Sequence, residues 1–345
     1  MKSDIIDILR CKDNEIINSL FNNALQTKID NIGNVVYLRG LIEYSNICQK
    51  NCYYCGLRNE NKLQRYTLND EEVIAAAMFA YNNNFGSIVI QAGEIQSNSY
   101  TKKITSLLNK INENTNYELG ITLSLGEQNK NTLKEWKETG NAIRYLLRIE
   151  TSNQKLYNKI HPNNTLHSFT NRLKILDTLK ELDYQVGTGI MIGLPYQTIE
   201  DLASDIIFFK EKNIDMIGMG PYIEHSGTPF YNDAIDNNFT LQDRLELTLR
   251  MIAILRINIP TINIAATTAL QTITLQGRQQ AINVGANIVM PNITPLQHRN
   301  NYLLYENKTI LENTDAIFES IKTAGAIIGW GKQGNSLHFK NKMQT

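Results

Sequence analysis

VVYLRGLIEYSNICQKNCYYC, residues 35–55, is the stretch from which the fold and chemistry of this chain can be worked out. Residues 35–46 are rich in β-branched and aromatic side chains, which favours a β-strand. A loop follows the C-terminal end of that strand and carries Cys48, Cys52 and Cys55 in a CxxxCxxC spacing. Because a loop this short can direct three thiolates to a common point, the sequence predicts a metal centre there.

The cysteine spacing predicts an iron–sulfur cluster in which one iron has no protein ligand. A 4Fe–4S cluster normally takes four thiolates, and the only other cysteine, Cys11, lies far upstream in a helical pattern. An iron without a protein ligand can bind a small chelating molecule, as catalytic metal sites do. A structural zinc site with Cys11 or a histidine as fourth ligand is the alternative. However, none of the five histidines is paired with another at the spacing typical of zinc sites.

The composition predicts a folded protein without a nucleic-acid or membrane signature. Of the 345 residues, 42% are hydrophobic, and 34 Lys and Arg balance 34 Asp and Glu, so no net charge favours a polyanionic partner. The N-terminus has charges throughout, and no run approaches the roughly 18 apolar residues of a membrane span. Clustered, unpaired cysteines indicate a reducing compartment. We therefore expect a soluble, cytoplasmic protein.

Strand and helix patterns alternate along the chain. Strands are predicted at 36–44, 87–92, 119–124, 144–149, 186–192, 215–220, 261–266 and 286–290. Helices are predicted within 2–30 and at 70–83, 99–112, 130–139, 167–182, 199–212, 241–257, 275–283 and 314–326. Eight such units predict the α/β class and a closed (β/α)8 TIM-type barrel, with a doubly wound open sheet as the alternative. The expected organisation is an N-terminal helical extension (1–34), the barrel (35–310), and a C-terminal helix and tail packing on the barrel (311–345).

In a barrel of this type the active site lies at the C-terminal ends of the strands. Period-two alternation places polar side chains on the lumen-facing side of three strands: Arg39 and Glu43, Thr122 and Ser124, and Arg144, Arg148 and Glu150. Charges inside a barrel are costly unless they are paired or used. An Arg–Glu pair that only fills the lumen is one interpretation. We favour a functional one, with these side chains directed toward the end that carries the cysteine loop.

Other strand ends add candidate site residues, each with a structural alternative. Gly93 and Glu94 end the second strand, where glycine permits close approach by a ligand. Thr267 and Thr268 end the seventh strand and could hold a polar substrate group or cap a helix. Met290 ends the eighth strand. Tyr302 and Tyr305 follow in a polar loop, either as substrate contacts or as packing, and His161 and His225 are expected to be loop residues.

A cluster with one free iron at the mouth of a barrel is what radical initiation from S-adenosylmethionine (SAM) requires. The methionine amino and carboxylate groups chelate the free iron, and one electron cleaves the sulfonium to methionine and a 5′-deoxyadenosyl radical. A closed barrel keeps that radical from water. Tyr54 is suited to pack against the adenine and Glu94 to accept hydrogen bonds from the ammonium. The cofactor-binding candidates are Tyr54, Gly93, Glu94, Ser124, Glu150 and Arg172, the last two for the ribose and the methionine carboxylate.

Two sets of motifs resemble a known family. The CxxxCxxC loop with an aromatic residue before its last cysteine, followed by a Gly-Glu pair ending the second strand, resembles the radical SAM superfamily. Longer segments are similar to the FeFe-hydrogenase maturase family HydE, whose wider group includes biotin synthase and methylornithine synthase. They are GLIEYSNICQKNCYYCGLRNENKLQRY (40–66), TLSLGE (122–127), RYLLRIETSN (144–153), IGLPYQT (192–198), DMIGMGPYIEHSGTP (215–229), AATTALQTI (265–273) and NIVMPNITP (287–295).

The resemblance implies a SAM-dependent maturase that helps to assemble the diiron subcluster of the hydrogenase active site. Its substrate would be a small organometallic or amino-acid-like molecule, an iron–carbonyl–cyanide–cysteine precursor delivered by a partner maturase, and an electron donor would reduce the cluster. The adenosyl radical would attack sulfur of the iron-bound cysteine-type ligand. Carried over by motif, Arg148 would anchor a substrate carboxylate, and the substrate side would be lined by Thr122, Thr267, Thr268, Met290 and Tyr302.

Some members of the family carry a second, C-terminal iron–sulfur cluster. No cysteine follows Cys55 here, so a second cluster is not expected, which also disfavours a reaction like that of biotin synthase. A lysine mutase like methylornithine synthase is the rival enzyme, although it would need an acidic partner for a second ammonium group. An iron–sulfur or zinc scaffold protein is the non-enzymatic alternative, and it leaves the pocket charges unexplained.

Overall fold

Eight parallel strands form a barrel in the computed structural model, which describes residues 2–232, 238–308 and 313–344. The strands are β1 (Val35–Ser45), β2 (Ser87–Ala92), β3 (Gly120–Ser124), β4 (Arg144–Leu146), β5 (Gln185–Ile192), β6 (Met216–Pro221), β7 (Asn263–Ile264) and β8 (Ile288–Val289). They are hydrogen-bonded in the order β7-β6-β5-β4-β3-β2-β1-β8. The ring closes between β7 and β8, where the amides of Ala266 and Asn287 donate to the carbonyls of Ile288 and Ile264, both at 2.9 Å. The predicted closed barrel is therefore confirmed, and the open sheet is wrong.

Helices separate the strands and cover the outside of the barrel. They are α1 (Lys2–Arg10), α2 (Asn14–Ile32), α3 (Asp70–Asn82), α4 (Asn98–Asn114), α5 (Lys130–Lys137), α6 (Gln154–Ile160), α7 (Phe169–Glu181), α8 (Ile199–Glu211), α9 (Pro229–Asn232), α10 (Leu241–Asn258), α11 (Thr268–Ile273), α12 (Gly277–Asn283), α13 (Leu296–Arg299), α14 (Thr314–Thr323) and α15 (Leu337–Lys342). The short helices α6, α9, α11, α13 and α15 were not predicted, because each is too brief to show a helical period. Among the described helices, none has the length and apolarity to cross a membrane.

Side-chain caps fix where several helices begin. At α3 the Asn69 side chain accepts from the amide of Glu72 at 2.8 Å, while the Glu72 carboxylate accepts from the amide of Asn69 at 3.0 Å. The same reciprocal arrangement starts α8 with Thr198 and α10 with Thr240. Each cap satisfies amides that have no partner inside the helix, so these helix starts follow from local sequence.

The C-terminal tail closes the barrel at the end opposite the cysteine loop. A ninth strand, β9 (Ile327–Ile328), pairs in parallel with the start of β1. Residues 329–336, here called the floor segment, then pass beneath the strands. The side-chain amide of Asn263 donates to the Gly334 carbonyl at 2.8 Å, and the Gln185 side chain accepts from the amide of Ser336 at 2.7 Å. Gly334 has φ +62°, and a Cβ there would lie 2.6 Å from the Tyr37 ring, so only glycine fits.

The floor segment also contacts two buried arginines, which corrects one expectation. Arg39 donates to the Gly334 carbonyl at 3.0 Å, and Arg144 donates to the side chain of Asn335. Both therefore lie toward the floor and not at the end with the cysteine loop. The reason is register: Arg144 is the first residue of β4, and Arg39 is level with Ser87 at the start of β2. The predicted boundary between residues 310 and 311 lies outside the described residues.

Candidate active site

A cavity of about 330 Å³ runs through the barrel from the cysteine loop to Arg39 near the floor. Residues from every strand or strand end of the barrel line it. Among the predicted site residues, the cavity wall includes Cys52, Tyr54, Cys55, Thr122, Ser124, Arg148, Glu150, Thr267, Thr268 and Met290. Cys48, Gly93, Glu94 and Arg172 lie behind that wall, around the cysteine loop. The structure thus brings most of the predicted set to one enclosed space.

The cysteine loop is held against the end of β2. Cys48 Sγ accepts from the amides of Lys50, at 3.4 Å, and Glu94, at 3.3 Å. A Cβ on Gly93 would lie 2.3 Å from the carbonyl oxygen of Ile47, so glycine is required for this close approach. Sequence reasoning assigned that glycine to ligand access; the contact it permits is with the loop itself.

The thiols of this loop are suited to bind a cationic cluster. Burial raises the pKa of Cys52 to about 12, and the neighbouring charge of Cys48 adds to the effect. Burial likewise raises the pKa of Cys55 and of Cys48. A thiolate is the form that ligates metal, so three such groups together need both positive charge and N–H donors. Amide donors to Cys48 are present, and iron would supply the charge.

Within the described residues, no three His, Cys, Asp or Glu side chains are arranged as the ligands of a single metal ion.

A buried network of four charges supports the cysteine loop from below. Lys50, inside the loop, lies 3.0 Å from the Glu94 carboxylate and 3.1 Å from that of Glu127. Arg172 lies 2.6 Å from Glu127 and 3.8 Å from Glu94. Burial raises the pKa of Glu94 and outweighs the two cations, whereas for Glu127 the cations overcome burial and lower the pKa.

Sequence reasoning missed two members of this network, Lys50 and Glu127. Both stand in segments quoted for their family likeness, and charged residues within a buried motif were the available signal. The network also changes the picture for Glu94. One of its oxygens already accepts from the amide of Glu127 at 2.9 Å, so an ammonium group of a ligand would share Glu94 with Lys50.

Arg148 and Glu150 form a bidentate ion pair on the cavity wall. Arg148 Nε and Nη2 donate to the two Glu150 oxygens at 2.7 and 2.8 Å. The same guanidinium donates to the carbonyls of Gly218 and Ile190, each at 2.7 Å. Four of its five N–H groups are therefore used, and one remains without a partner among the described residues. The bidentate fork expected to anchor a substrate carboxylate is occupied by Glu150, which lies two residues further along the segment after β4 and has a left-handed φ of +64°.

The hydroxyl groups of three threonines and one tyrosine on the cavity wall have different hydrogen-bond partners. Thr267 donates to the Met219 carbonyl at 3.1 Å and makes no capping bond to α11, so the capping alternative is not realised there. The hydroxyls of Thr268 and Tyr305 are 3.0 Å apart. Thr122 accepts from Arg144 Nε at 2.9 Å.

Tyr302 does not line the cavity, contrary to expectation. It is buried behind the wall, and the ammonium of Lys308 lies 5.0 Å from its ring centre. Tyr305 lines the cavity in its place. The loop carrying both tyrosines has no strand or helix period, so no sequence pattern distinguishes the one that faces the cavity. Lys308, also on the cavity wall and paired with Glu43, was not foreseen.

Tyr54 is fixed by a histidine that sequence reasoning placed in a loop. Its hydroxyl lies 3.1 Å from His161 Nε2, and the two rings meet edge to face at 5.3 Å. His161 Nδ1 lies 2.8 Å from the Tyr157 carbonyl, which makes Nδ1 the donor and Nε2 the acceptor. Burial lowers the pKa of His161 well below its usual value, so the ring is neutral. His161 therefore orients Tyr54 toward the cavity.

Comparison with known proteins agrees with these features. Residues 42–209 match the family model of the radical SAM superfamily. The [FeFe] hydrogenase maturase subunit HydE of Thermotoga maritima is 42% identical over 310 residues, covering 90% of this chain and 85% of that protein. The 3-methylornithine synthase of Methanosarcina acetivorans is 28% identical, covering 87% of this chain and 82% of that protein.

A solved structure shares the fold. The crystal structure of methylornithine synthase (PylB) matches with a TM-score of 0.81 at 22% identity, covering 96% of this chain and 94% of that one. Such a likeness supports the barrel and not a shared reaction. Sequence identity, the cysteine loop and the barrel together show that the chain is a radical SAM enzyme, belonging to the radical SAM superfamily and, within it, to the family of the hydrogenase maturase HydE.

Proposed function

We propose that this enzyme acts in the maturation of [FeFe] hydrogenase, by reductive cleavage of SAM and radical attack on a small iron-bound, cysteine-type substrate during assembly of the diiron subcluster. The observation that carries the proposal is the enclosed cavity that joins Cys52 and Cys55 to Thr267, Thr268 and Met290. The 42% identity to a HydE maturase supports it independently.

Cys48, Cys52 and Cys55 would hold a 4Fe–4S cluster. When bound there together with SAM, the cluster would supply the one electron needed to cleave the sulfonium and form a 5′-deoxyadenosyl radical. Tyr54, held by His161, presents its ring to the adenine. Ser124 and Glu150 face the ribose from the cavity wall. Beside Gly93, Glu94 and Arg172 of the charge network behind the cavity wall would receive the methionine amino and carboxylate groups, and the ammonium would share Glu94 with Lys50.

On the substrate side the cavity offers few free charges. Arg148 contributes one N–H to a substrate carboxylate, because Glu150 and the carbonyls of Gly218 and Ile190 accept from the other four. The hydroxyls of Thr122, Thr267 and Thr268 contribute weaker polar contacts, and the Met290 thioether suits a soft, polarizable ligand. The cavity walls would shield a radical from bulk solvent until it meets the substrate.

The rival activity is that of a lysine mutase like methylornithine synthase. Such an enzyme needs a carboxylate free to bind the second ammonium group of its substrate. Glu43 is an acidic side chain on the cavity wall, but it is bound by Lys308 and accepts from Asn292 at 3.1 Å. That pairing favours the maturase. The scaffold alternative falls because the chain belongs to a family of enzymes.

We further propose that the protein works in the cytoplasm, since its cluster thiols must stay reduced, and that it receives its substrate from another maturase and its electron from a separate donor. The test is activation of apo-hydrogenase in a defined anaerobic mixture of maturases. The cluster-loaded protein should restore hydrogenase activity and a Cys48→Ser variant should not. Conversion of lysine to methylornithine without any hydrogenase activation would reject the maturase in favour of the mutase.

A further inference from the structure

On one side the cysteine loop is separated from solvent by a few aromatic residues. Tyr53 lies between two of the cluster cysteines, and its ring centre is 6.1 Å from that of Phe230, which in turn lies 6.5 Å from Tyr196. The amide of Phe230 donates to the Tyr53 carbonyl at 3.4 Å. Tyr196 and the adjacent Tyr231 are 45% and 53% exposed. We call Tyr53, Tyr196, Phe230 and Tyr231 the aromatic surface.

Tyr196 is held in an unfavourable backbone conformation although its ring is not buried. Its φ is +66°, in the left-handed region that a bulky side chain rarely adopts. The side chain of Gln197 enforces this turn by accepting from the amides of Gly193, at 2.7 Å, and Leu194, at 3.2 Å. Strain without compensating burial of the ring is typical of functional positions. The turn presents the Tyr196 ring outward beside the cysteine loop.

Positive charge borders the aromatic surface. Lys159 Nζ lies 4.6 Å from the centre of the Tyr196 ring, and Lys155 lies one helical turn earlier on α6. Both are exposed, and within the described parts of the chain neither forms an ion pair. Three glutamates near these residues in the sequence are bound to arginine: Glu60 to Arg58 at 2.6 Å, Glu224 to Arg244 at 2.7 Å, and Glu200 to Arg10. Asp233 and Asp236, which follow Tyr231, lie outside the described residues.

We propose that the aromatic surface, bordered by Lys155 and Lys159, is the docking site for a small acidic protein that carries single electrons. The donor loses one electron and the cluster held by Cys48, Cys52 and Cys55 gains it, with no bond of this chain made or broken. Each cleavage of SAM by a radical SAM enzyme consumes one electron, so a donor must approach the cluster repeatedly and leave again.

The size and charge of this surface suit that partner. Electron-transfer complexes bury less than about 1,200 Å² in total, so a few aromatic side chains with a lysine border are sufficient. Unpaired lysines speed the encounter with an acidic partner and make it sensitive to salt. The rings of Tyr53 and Phe230 would form a single layer of side chains between the docked protein and the cluster. The electron would therefore have only a short distance to cross.

The first experiment measures binding directly. The probe is an acidic flavodoxin, and its affinity for the cluster-loaded protein is measured at low and high ionic strength. The double variant K155E/K159E should raise Kd about ten-fold at low salt, because two attractive charges become repulsive. The matched control is Lys332→Glu in the floor segment, an exposed lysine at the opposite end of the barrel. It should leave Kd within about two-fold.

A second readout separates docking from chemistry. K155E/K159E should slow SAM cleavage driven by reduced flavodoxin and leave cleavage driven by dithionite unchanged. Tyr196→Asn, which tolerates the left-handed backbone, should weaken flavodoxin binding without shifting the thermal midpoint. Unchanged binding by K155E/K159E, equal weakening by K332E, or equal loss with dithionite would each overturn the proposal. None of these measurements involves a hydrogenase, so they are independent of the proposed maturation function.

Discussion

The pair formed by Arg148 and Glu150 makes the most direct prediction about the cavity wall. Replacing Arg148 with Met leaves the Glu150 carboxylate without its bidentate partner, and the Glu150 side chain is only 10% exposed. It also leaves the carbonyls of Gly218 and Ile190 without their donor. Breaking a buried pair costs about 3–5 kcal/mol. Because the Arg148 side chain is 31% exposed to the cavity, the lower end of that range, about 3 kcal/mol, applies.

A double-mutant cycle tests this value. We expect Glu150→Gln to cost about 2 kcal/mol and the double variant no more than about 3, which gives a coupling of about 2 kcal/mol. The exposed pair Lys134–Glu138, 3.7 Å apart, serves as the control, with a coupling below about 0.5 kcal/mol for Lys134→Met and Glu138→Gln. The free energies come from anaerobic urea unfolding followed by circular dichroism. Equal couplings for the two pairs, or additive effects at the cavity pair, would refute the reasoning.

Three further predictions concern the cysteine loop and a buried carboxyl group on α8. Cys48→Ser should lower the iron content of the reconstituted protein and abolish SAM cleavage, because two cysteines remain for the cluster; an unchanged iron content would contradict the ligand assignment. Lys50→Met should lower the free energy of unfolding by about 3 kcal/mol, as it leaves Glu94 and Glu127 to share one cation, and a denaturation midpoint within error of the unaltered protein would count against this. Burial raises the pKa of Asp205 from its ordinary value of 3.8 to about 7, so the folded protein keeps a proton there that the unfolded chain releases. The contribution of this residue to stability should therefore fall as the pH rises from about 4 to about 7, and Asp205→Asn should remove that part of the pH profile.

The sequence predicts the barrel because its strands and helices repeat with clear periods. Most boundaries fall within one or two residues, as at β2 and α3. The largest differences are at β4, which was expected to run to residue 149 and ends at Leu146, and at α14, which was expected to run to residue 326 and ends at Thr323. The floor segment escaped prediction because a run such as GKQGN has no period, and its place is decided by the distant Arg39 and Arg144.

Site residues were predictable where spacing along a strand decides their direction. Period two placed Arg148 and Glu150 together, and even allowed that they might pair with each other. Period two does not show how far along the barrel axis a side chain lies. For that reason Arg39 and Arg144 were expected at the end with the cysteine loop, whereas they lie near the floor segment. Pairings between separate loops, such as Lys50 with Glu127, depend on the assembled fold and have no signature within either segment.

The floor segment has a consequence for how the chain matures. It follows all eight barrel strands in the sequence, whereas β1, the first strand, pairs with both β8 and β9. The ring therefore cannot close until the chain has been synthesised as far as β8, and Arg39 and Arg144 lack their acceptors on Gly334 and Asn335 until the floor segment has followed. Because these contacts join residues far apart in the sequence, we expect closure of the barrel to be a slow, late step of folding.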